Sequence, residues 1–343
     1  MAELGNENPQ RFNNIEWLRI VFALQVLFVH VYRTFADIEL AYVVHIPGVP
    51  AFFFISGFLI YGSYLKSRSL RDYYMNRFLR LMPGLLFVTL GALSVIVYVK
   101  GASHLLENLS LYLVWFGAQL TLGQSYGPAE FADIGVGNIN GPLWTITVEL
   151  LFYVSVPVIV FLEKRARHIL TILFIASITV YLYGVELLSF SFFGKPFIDH
   201  LHATPVVWGW MFLLGIFCFK NFDAIYKHIG KLWIGGVAMI VLVVVDNDNQ
   251  FFLTSNNRVG PVYFVAYAAF ILYAAFGIRY RPLAVDLSYG TYIWHMLIVN
   301  LLLVLGLPNI PLTVLLTAVA ATASWYLVEK PALSLKRYSF RNT

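Results

Sequence analysis

Long apolar stretches separated by short polar segments run through almost the whole sequence. A helix needs about 20 mostly apolar residues to cross a bilayer, and about ten stretches approach that length. They cover residues 15–36, 47–65, 81–100, 143–162, 169–188, 203–219, 232–246, 260–278, 287–306 and 309–328. A shorter run at 109–122 indicates an interfacial or re-entrant piece. Because lipid cannot hydrogen-bond a bare backbone, the pattern predicts an all-α, polytopic bundle of transmembrane helices.

The composition narrows the class of protein in the same direction. The chain of 343 residues is 59% hydrophobic and only 12% charged, whereas soluble domains are about 25% charged. A soluble globule, a disordered chain and a fibre are therefore excluded. The single cysteine, Cys218, excludes an intramolecular disulfide framework and a cysteine-rich zinc site, and the sequence shows no ligand cluster for a metal.

The lysines and arginines are concentrated in every second connecting segment. If the N-terminus is cytoplasmic, most of the 23 basic residues lie in cytoplasmic segments, as the positive-inside rule requires. These residues are Arg11, Lys66, Arg68, Arg71, Arg77, Arg80, Lys164, Arg165, Arg167, Lys220, Lys227, Lys231, Arg279, Arg281, Lys330, Lys336, Arg337 and Arg341. The outer segments hold Arg33, Lys100, Lys195 and Arg258. We therefore predict that both termini are cytoplasmic, and this use of positive charge argues against a nucleic-acid partner.

This segmentation predicts a cytoplasmic tail over 1–14, a transmembrane domain over 15–328 and a second cytoplasmic tail over 329–343. The first apolar run is too long for a signal-peptide core and lacks a small-residue cleavage site after it, so we expect a retained helix. The longest connection, about 101–142, falls on the outer side. Loops of that length are more often functional or disordered than simple connectors.

Four ionisable residues lie inside predicted spans, where a charge is costly and suggests function. They are Arg19, His30, Glu149 and His295. Arg19 and His30 are eleven residues apart, about three helical turns, and so lie on nearly one face of the first span. His30 and Glu149 fall at similar depth, so the carboxylate could orient a histidine base. A hydrogen bond that only joins two helices, or a proton relay in a transporter, would use the same residues.

Further polar groups flank these four residues. Arg77 and Arg80 are one turn apart and could bind phosphates, although ordinary positive-inside anchoring also explains them. Trp144 opens the fourth span, either as an interfacial anchor or as a surface for a sugar ring. Ser288, Tyr292 and His295 can share one polar stripe, which is often only a contact between helices. The sequence has no HExxH or P-loop motif.

Six motifs occur in a fixed order along the chain. They are Trp17-Leu18-Arg19 with ten residues to His30, FFFISGFLI at 52–60, RFLRLMPG at 77–84, PLWTITVELLFY at 142–153, SYGTYIWH at 288–295 and VEKP at 328–331. This order and spacing resemble the acyltransferase-3 family of bacterial membrane O-acyltransferases. The similarity extends from about residue 13 to 337.

The resemblance implies transfer of an acyl group, usually acetyl, from cytoplasmic acyl-CoA to a hydroxyl of a cell-surface or secreted glycan. It implies His30 as the catalytic base, Glu149 as the acidic residue of its motif, and Arg19, Arg77 and Arg80 as donor-binding residues. Acetyl-CoA would be a co-substrate rather than a bound cofactor. We expect a multi-pass protein of the bacterial inner membrane that contacts lipid and a glycan or lipid-linked glycan. Some relatives add a hydrolase-like domain, and here a separate periplasmic partner would supply any such activity.

The motifs fit a two-ended site. CoA phosphates would contact the arginines, and His30 would deprotonate the acceptor hydroxyl beside Glu149. Candidate contacts to the oxyanion or the acceptor are Trp144, Tyr153, Ser288, Tyr292 and His295, and Tyr126 and Phe131 of the outer loop could contact a glycan. A proton-coupled secondary transporter that uses His30 and Glu149 is the alternative, although we find no inverted repeat or paired broken helices. A structural scaffold would leave these buried groups without a purpose.

Overall fold

A computed structural model describes residues 13–40, 43–192, 194–245, 251–252, 254–255 and 257–335. Most of residues 1–14 and of 329–343, with Arg11, Lys336, Arg337 and Arg341, therefore lies outside the described residues. The α-helices are α1 Ile15–Phe35, α2 Gly48–Lys66, α3 Leu70–Lys100, α4 Ala102–Glu107, α5 Leu109–Gln119, α6 Trp144–Glu163, α7 Ile169–Leu187, α8 Phe197–Leu201, α9 Pro205–Lys220, α10 Phe222–Tyr226, α11 Ile234–Val244, α12 Pro261–Leu272, α13 Ser288–Val304, α14 Ile310–Ser324 and α15 Lys330–Ser334.

Short elements complete the described chain. The 3-10 turns are Ala129–Phe131, Gly141–Leu143 and Ile229–Lys231, and π-helical turns extend α12 and α14 over Tyr273–Gly277 and Trp325–Glu329. Two antiparallel hairpins pair β1 Ser191–Phe192 with β2 Lys195–Pro196 and β3 Thr254–Ser255 with β4 Arg258–Val259. The strands lie in connections between helices, so the fold is a helical bundle, as the sequence predicts.

Six helical segments of the described chain are long and apolar enough to cross a membrane: Ile15–Phe35, Gly48–Lys66, Leu70–Lys100, Gly141–Glu163, Ile169–Leu187 and Ile310–Ser334. Five shorter apolar segments are Leu109–Gln119, Pro205–Lys220, Ile229–Val244, Pro261–Gly277 and Ser288–Val304. Each predicted span contains a helix. The number of crossings and the cytoplasmic position of both ends stay predictions.

Helix boundaries follow local chemistry at several positions. Ser69 accepts a hydrogen bond from the backbone N–H of Asp72 and begins α3 well before the predicted apolar start at residue 81. The basic stretch that contains Arg77 and Arg80 is therefore helical and continuous with the apolar part of α3. Asn309 caps α14 in the same way through the N–H of Leu312, at 2.8 Å.

Small residues allow the central helices to approach closely. A Cβ atom on Gly57 of α2 would overlap the backbone of Phe212 in α9, and one on Gly215 of α9 would overlap the backbone of Phe54. On the other side of the bundle, a Cβ on Gly84 of α3 would lie 2.7 Å from the Tyr289 ring. These contacts fix α2 on α9 and α13 on α3.

Helix α13 forms the centre of the site, because it packs against α1, α3 and α14. Every residue from Ser288 to Asn300 is buried. At one end of α13, the amide of Asn300 donates to the carbonyls of Asn138 and Ile139, both at 2.9 Å, and accepts from the N–H of Val136. The predicted outer loop is thereby anchored to α13.

Candidate functional site

A carboxylate that precedes α13 holds two arginines together. Oδ2 of Asp286 accepts from Nη1 of Arg19 at 3.2 Å and from Nη2 of Arg80 at 2.6 Å. Its Oδ1 accepts from the hydroxyl of Ser288 at 2.6 Å and from the Ser288 N–H at 3.1 Å. We call Arg19, Arg80 and Asp286 the charge cluster; it joins α1, α3 and the start of α13.

The charge cluster perturbs the ionisation of its carboxyl. Burial alone would raise the pKa of Asp286, but Arg19 and Arg80 outweigh burial and, together with the Ser288 hydroxyl, hold that pKa below its usual value. Asp286 therefore stays ionised throughout the physiological range. Because two guanidinium groups share one carboxylate, the charge cluster has an excess of one positive charge.

A second acidic residue, Glu329, lies next to the charge cluster. It is buried at the end of the π-helical turn and accepts from the hydroxyl of Ser324 at 2.7 Å. Its other carboxylate oxygen has no hydrogen-bond partner among the described residues. Electrostatic attraction links Glu329 to Arg80.

Arg77 and Arg80 have different partners, although they are one turn apart. Arg77 donates to the hydroxyl of Ser63 at 2.9 Å, and its guanidinium carbon lies 5.6 Å from the centre of the Tyr153 ring. The Tyr153 hydroxyl in turn donates to Glu149. The two predicted donor-binding arginines therefore face separate acidic groups, Arg77 through Tyr153 and Arg80 directly.

A narrow cavity lies between the charge cluster and the middle of the bundle. Residues of α1, α2, α6 and α13 line it: Arg19, Val49, Phe52, Phe53, Thr145, Ile146, Glu149, Ser288, Tyr289 and Tyr292. Four of the predicted site residues, Arg19, Glu149, Ser288 and Tyr292, thus meet in one space. The cavity volume of about 40 Å³ is enough for water only. A substrate arm would have to move these side chains apart.

Two histidines pair next to this cavity. Nδ1 of His30 lies 3.1 Å from Nε2 of His295, and the rings stack with their centres 5.1 Å apart and their planes 22° apart. We call His30 and His295 the histidine pair. His295 is completely buried, whereas His30 is partly exposed.

Tyr292 connects the histidine pair to the cavity. Its ring centre lies 5.9 Å from that of His295, and its hydroxyl lies 2.7 Å from the hydroxyl of Thr145 and donates to the carbonyl of Pro142. Tyr292 and Thr145 both line the cavity. The polar stripe predicted from the sequence therefore contacts both the cavity and the histidine pair, through the turn of α13 from Tyr292 to His295.

Nothing in the described hydrogen bonds joins His30 to Glu149. His30 pairs with His295, and Glu149 pairs with Tyr153. Sequence position fixes the depth of a residue along its helix but not the direction in which it faces, because that direction depends on which helices pack together. Here α1 packs on α13, which brings the second histidine rather than the carboxylate to His30.

Comparisons with known proteins agree with the motif order. The sequence pattern of the acyltransferase-3 family, described as "Acyltransferase domain", matches residues 12–329. The chain belongs to the acyltransferase-3 family. It is similar to "Nodulation protein 10" of Rhizobium leguminosarum bv. viciae, with 27% identity over 94% of each chain. It is also similar to "Putative acetyltransferase ORF330" of Acidianus two-tailed virus, with 25% identity over 76% of this chain and 75% of the relative. No solved structure matches the chain significantly.

The remaining predicted contacts of this acyltransferase-family chain lie away from the histidine pair. Trp144 packs in an aromatic cluster, with ring centres 4.8 Å from His202 and 5.3 Å from Trp208. Phe131 is buried against Tyr112 and Trp115, so it holds the outer loop in place. Tyr126 is 42% exposed.

The sequence did not predict two acidic residues of the site of this family member. Asp286 lies two residues before SYGTYIWH, and Glu329 lies inside VEKP, so their positions next to motifs were the available signal. Neither is inside a long apolar run, so the hydropathy pattern did not single them out. Across the described ranges, no group of three or more His, Cys, Asp or Glu side chains could hold a metal ion.

Proposed function

We propose that this membrane acyltransferase transfers an acyl group from cytoplasmic acyl-CoA to a hydroxyl of a cell-surface or secreted glycan. The observation that carries the proposal is the cavity, which is lined by Arg19 of the charge cluster and borders the histidine pair through Tyr292. Anion binding and proton transfer, the two requirements of this reaction, are thereby within one site.

The donor end of the site is the charge cluster. Its two guanidinium groups suit a phosphate, because the arginine fork can bind phosphate oxygens in a bidentate manner. Arg80 and Arg19 are already oriented by Asp286, so little side-chain entropy is lost when the donor binds. In the proposed orientation, with both termini cytoplasmic, this end of the bundle faces the pool of acyl-CoA.

The reaction needs one base and one nucleophile. His30 accepts the proton of the acceptor hydroxyl while the hydroxyl oxygen attacks the thioester carbonyl. The new C–O bond replaces the C–S bond, and the proton passes from His30 to the sulfur of the departing CoA. Glu149, which contacts Tyr153 and lines the cavity, balances the positive charge of Arg19 across the cavity rather than contacting His30.

Acetyl is the proposed acyl group. The name of the viral relative contains the word acetyltransferase, and a small acyl group requires less displacement of the side chains that line the cavity. The acceptor would approach from the side of the outer loop, where Tyr126 and the cluster around Trp144 offer flat aromatic faces for a sugar ring. We place the protein in the bacterial inner membrane, where a separate periplasmic partner could supply further processing.

Inverted membrane vesicles from the host cells test this function, because they contain the natural acceptor and expose the cytoplasmic face. Acetyl-CoA labelled in the acetyl group should release free CoA thiol and transfer label to the glycan fraction only when the protein is present. Mass spectrometry of the glycans should show the increment of one acetyl group. Solute uptake without release of CoA would instead favour the proton-coupled transporter.

A further inference from the structure

We infer that His295 is a positioning residue that fixes the proton of His30 on Nδ1 and so leaves Nε2 of His30 as the basic atom of the site. Its catalytic meaning rests on the proposed acyl transfer. The proton arrangement itself rests only on hydrogen-bond geometry, so the two can fail separately.

The proton on His295 follows from its backbone contact. Nδ1 of His295 lies 2.7 Å from the carbonyl oxygen of Tyr292, and a carbonyl only accepts, so Nδ1 carries the hydrogen. A neutral imidazole has one N–H, and therefore Nε2 of His295 has only a lone pair. A charged ring is disfavoured, since His295 is fully buried and hydrogen-bonds to no carboxylate in the described part of the chain.

The proton on His30 follows in turn. Its Nδ1 lies 3.1 Å from Nε2 of His295, which can only accept, so Nδ1 of His30 must donate. The carbonyl of Val26, one turn earlier on α1, is a further acceptor beside the ring, and Nδ1 is the ring nitrogen nearer the backbone. Nε2 of His30 is consequently left with the free lone pair.

Exposure distinguishes the roles of the two rings. His30 is partly exposed, whereas His295 has 0% exposure, so an acceptor hydroxyl can reach only His30. When Nε2 takes the hydroxyl proton, the bond from Nδ1–H to His295 stabilises the resulting imidazolium and prevents rotation of the ring. In this arrangement His295 has no N–H left for an oxyanion, and positioning replaces the oxyanion role expected from the sequence.

Two substitutions of His295 distinguish its hydrogen bond to His30 from its packing in the bundle. His295→Leu removes the acceptor for the Nδ1–H of His30. His295→Gln provides an amide oxygen that can accept from His30 and an amide N–H that can donate to Tyr292. The full-length protein, labelled with ¹⁵N-histidine in lipid nanodiscs, is studied by NMR, and the His30 signals are assigned by their loss in His30→Ala.

We expect Nε2 of His30 to be unprotonated in the wild type and in His295→Gln. In His295→Leu only the Val26 carbonyl remains to hold the proton on Nδ1, so we expect a larger share of the tautomer with a protonated Nε2. In inverted vesicles with labelled acetyl-CoA, His295→Leu should lower kcat at least about tenfold without changing the KM for acetyl-CoA. His295→Gln should keep kcat within about threefold of the wild type, because the orienting hydrogen bond is restored.

Three results would overturn the inference. They are a protonated Nε2 on His30 in the wild type, an unchanged tautomer in His295→Leu, or a loss of activity in His295→Leu and His295→Gln that comes only from a change in the KM for acetyl-CoA. A different pattern would separate it from the proposed function. If the tautomers behave as expected but wild-type vesicles transfer no acetyl group, acyl transfer is wrong and the proton arrangement stands.

Discussion

The charge cluster and the histidine pair use the same two helices in opposite ways. Both join α1 to the α13 region, and Arg19 and His30 lie about 16 Å apart along α1. The charge cluster contains three ionised groups with one carboxylate shared between two arginines. The histidine pair contains neutral rings and no carboxylate among its described hydrogen bonds.

The two regions separate anion binding from proton transfer within one helical bundle. A cluster with two arginines attracts an anion, but in contact with the base it would disfavour the imidazolium that forms when the base takes a proton. A neutral pair can exchange a proton, but it offers nothing to a phosphate. Distance along α1 keeps the two functions apart, and the cavity bordered by Tyr292 connects them.

Removal of the base should reduce activity more than any other substitution considered. His30→Ala should lower acyl transfer by about 10²- to 10⁴-fold, the usual contribution of general acid–base catalysis, while the protein stays in the membrane. Release of CoA thiol from labelled vesicles measures the rate. His228→Ala is the matched control, since His228 is exposed and lies outside the site. Near-normal acyl transfer by His30→Ala would mean that the histidine pair takes no part in the reaction.

Loss of the shared carboxylate should act on stability first. Asp286→Ala leaves two guanidinium groups without their partner, and their side chains are only 23% and 16% exposed. We expect a loss of about 3 kcal/mol, seen as a lower Tm of the detergent-solubilised protein. Asp223→Ala, at an exposed position in α10, is the control. Equal Tm values for the two variants would mean that the charge cluster does not stabilise the bundle.

Arg80 and Arg77 should differ in their effect on donor binding. Arg80→Ala removes the arginine closest to Asp286 and should raise the KM for acetyl-CoA about tenfold, equivalent to one charge-assisted contact. Arg77→Ala loses the Ser63 contact and should raise KM less. If neither variant changes KM, these arginines only anchor the protein at the membrane surface.

The smallest effect concerns pH. Because the pKa of Asp286 is held below its ordinary value, the stability that its ionised form contributes is fully present above about pH 4 and is lost as pH falls further. The Tm difference between the wild type and Asp286→Asn should therefore be constant from about pH 8 to pH 5. A difference that shrinks within that range would indicate that the carboxyl is not held by the arginines.

Much of the fold could be predicted because hydropathy is a local property. Apolar length alone located the helices, and in all ten predicted spans a helix is present. The boundary of α3 was missed, since the capped stretch from Leu70 to Arg80 is polar and carries no hydropathy signal. The residues Arg19, His30 and His295 were selected for one physical reason, the cost of polar groups in lipid.

Hydropathy and the order of the motifs are enough to predict a helical membrane protein of the acyltransferase-3 family and to locate the ionisable residues within its helices. The partners of those residues depend on how the helices pack: His295 for His30, Tyr153 for Glu149 and Asp286 for Arg19 and Arg80. Spacing along a helix sets the depth of a side chain, whereas its neighbours depend on helix rotation. That rotation is fixed by close packing between segments far apart in sequence, such as Gly84 beneath Tyr289.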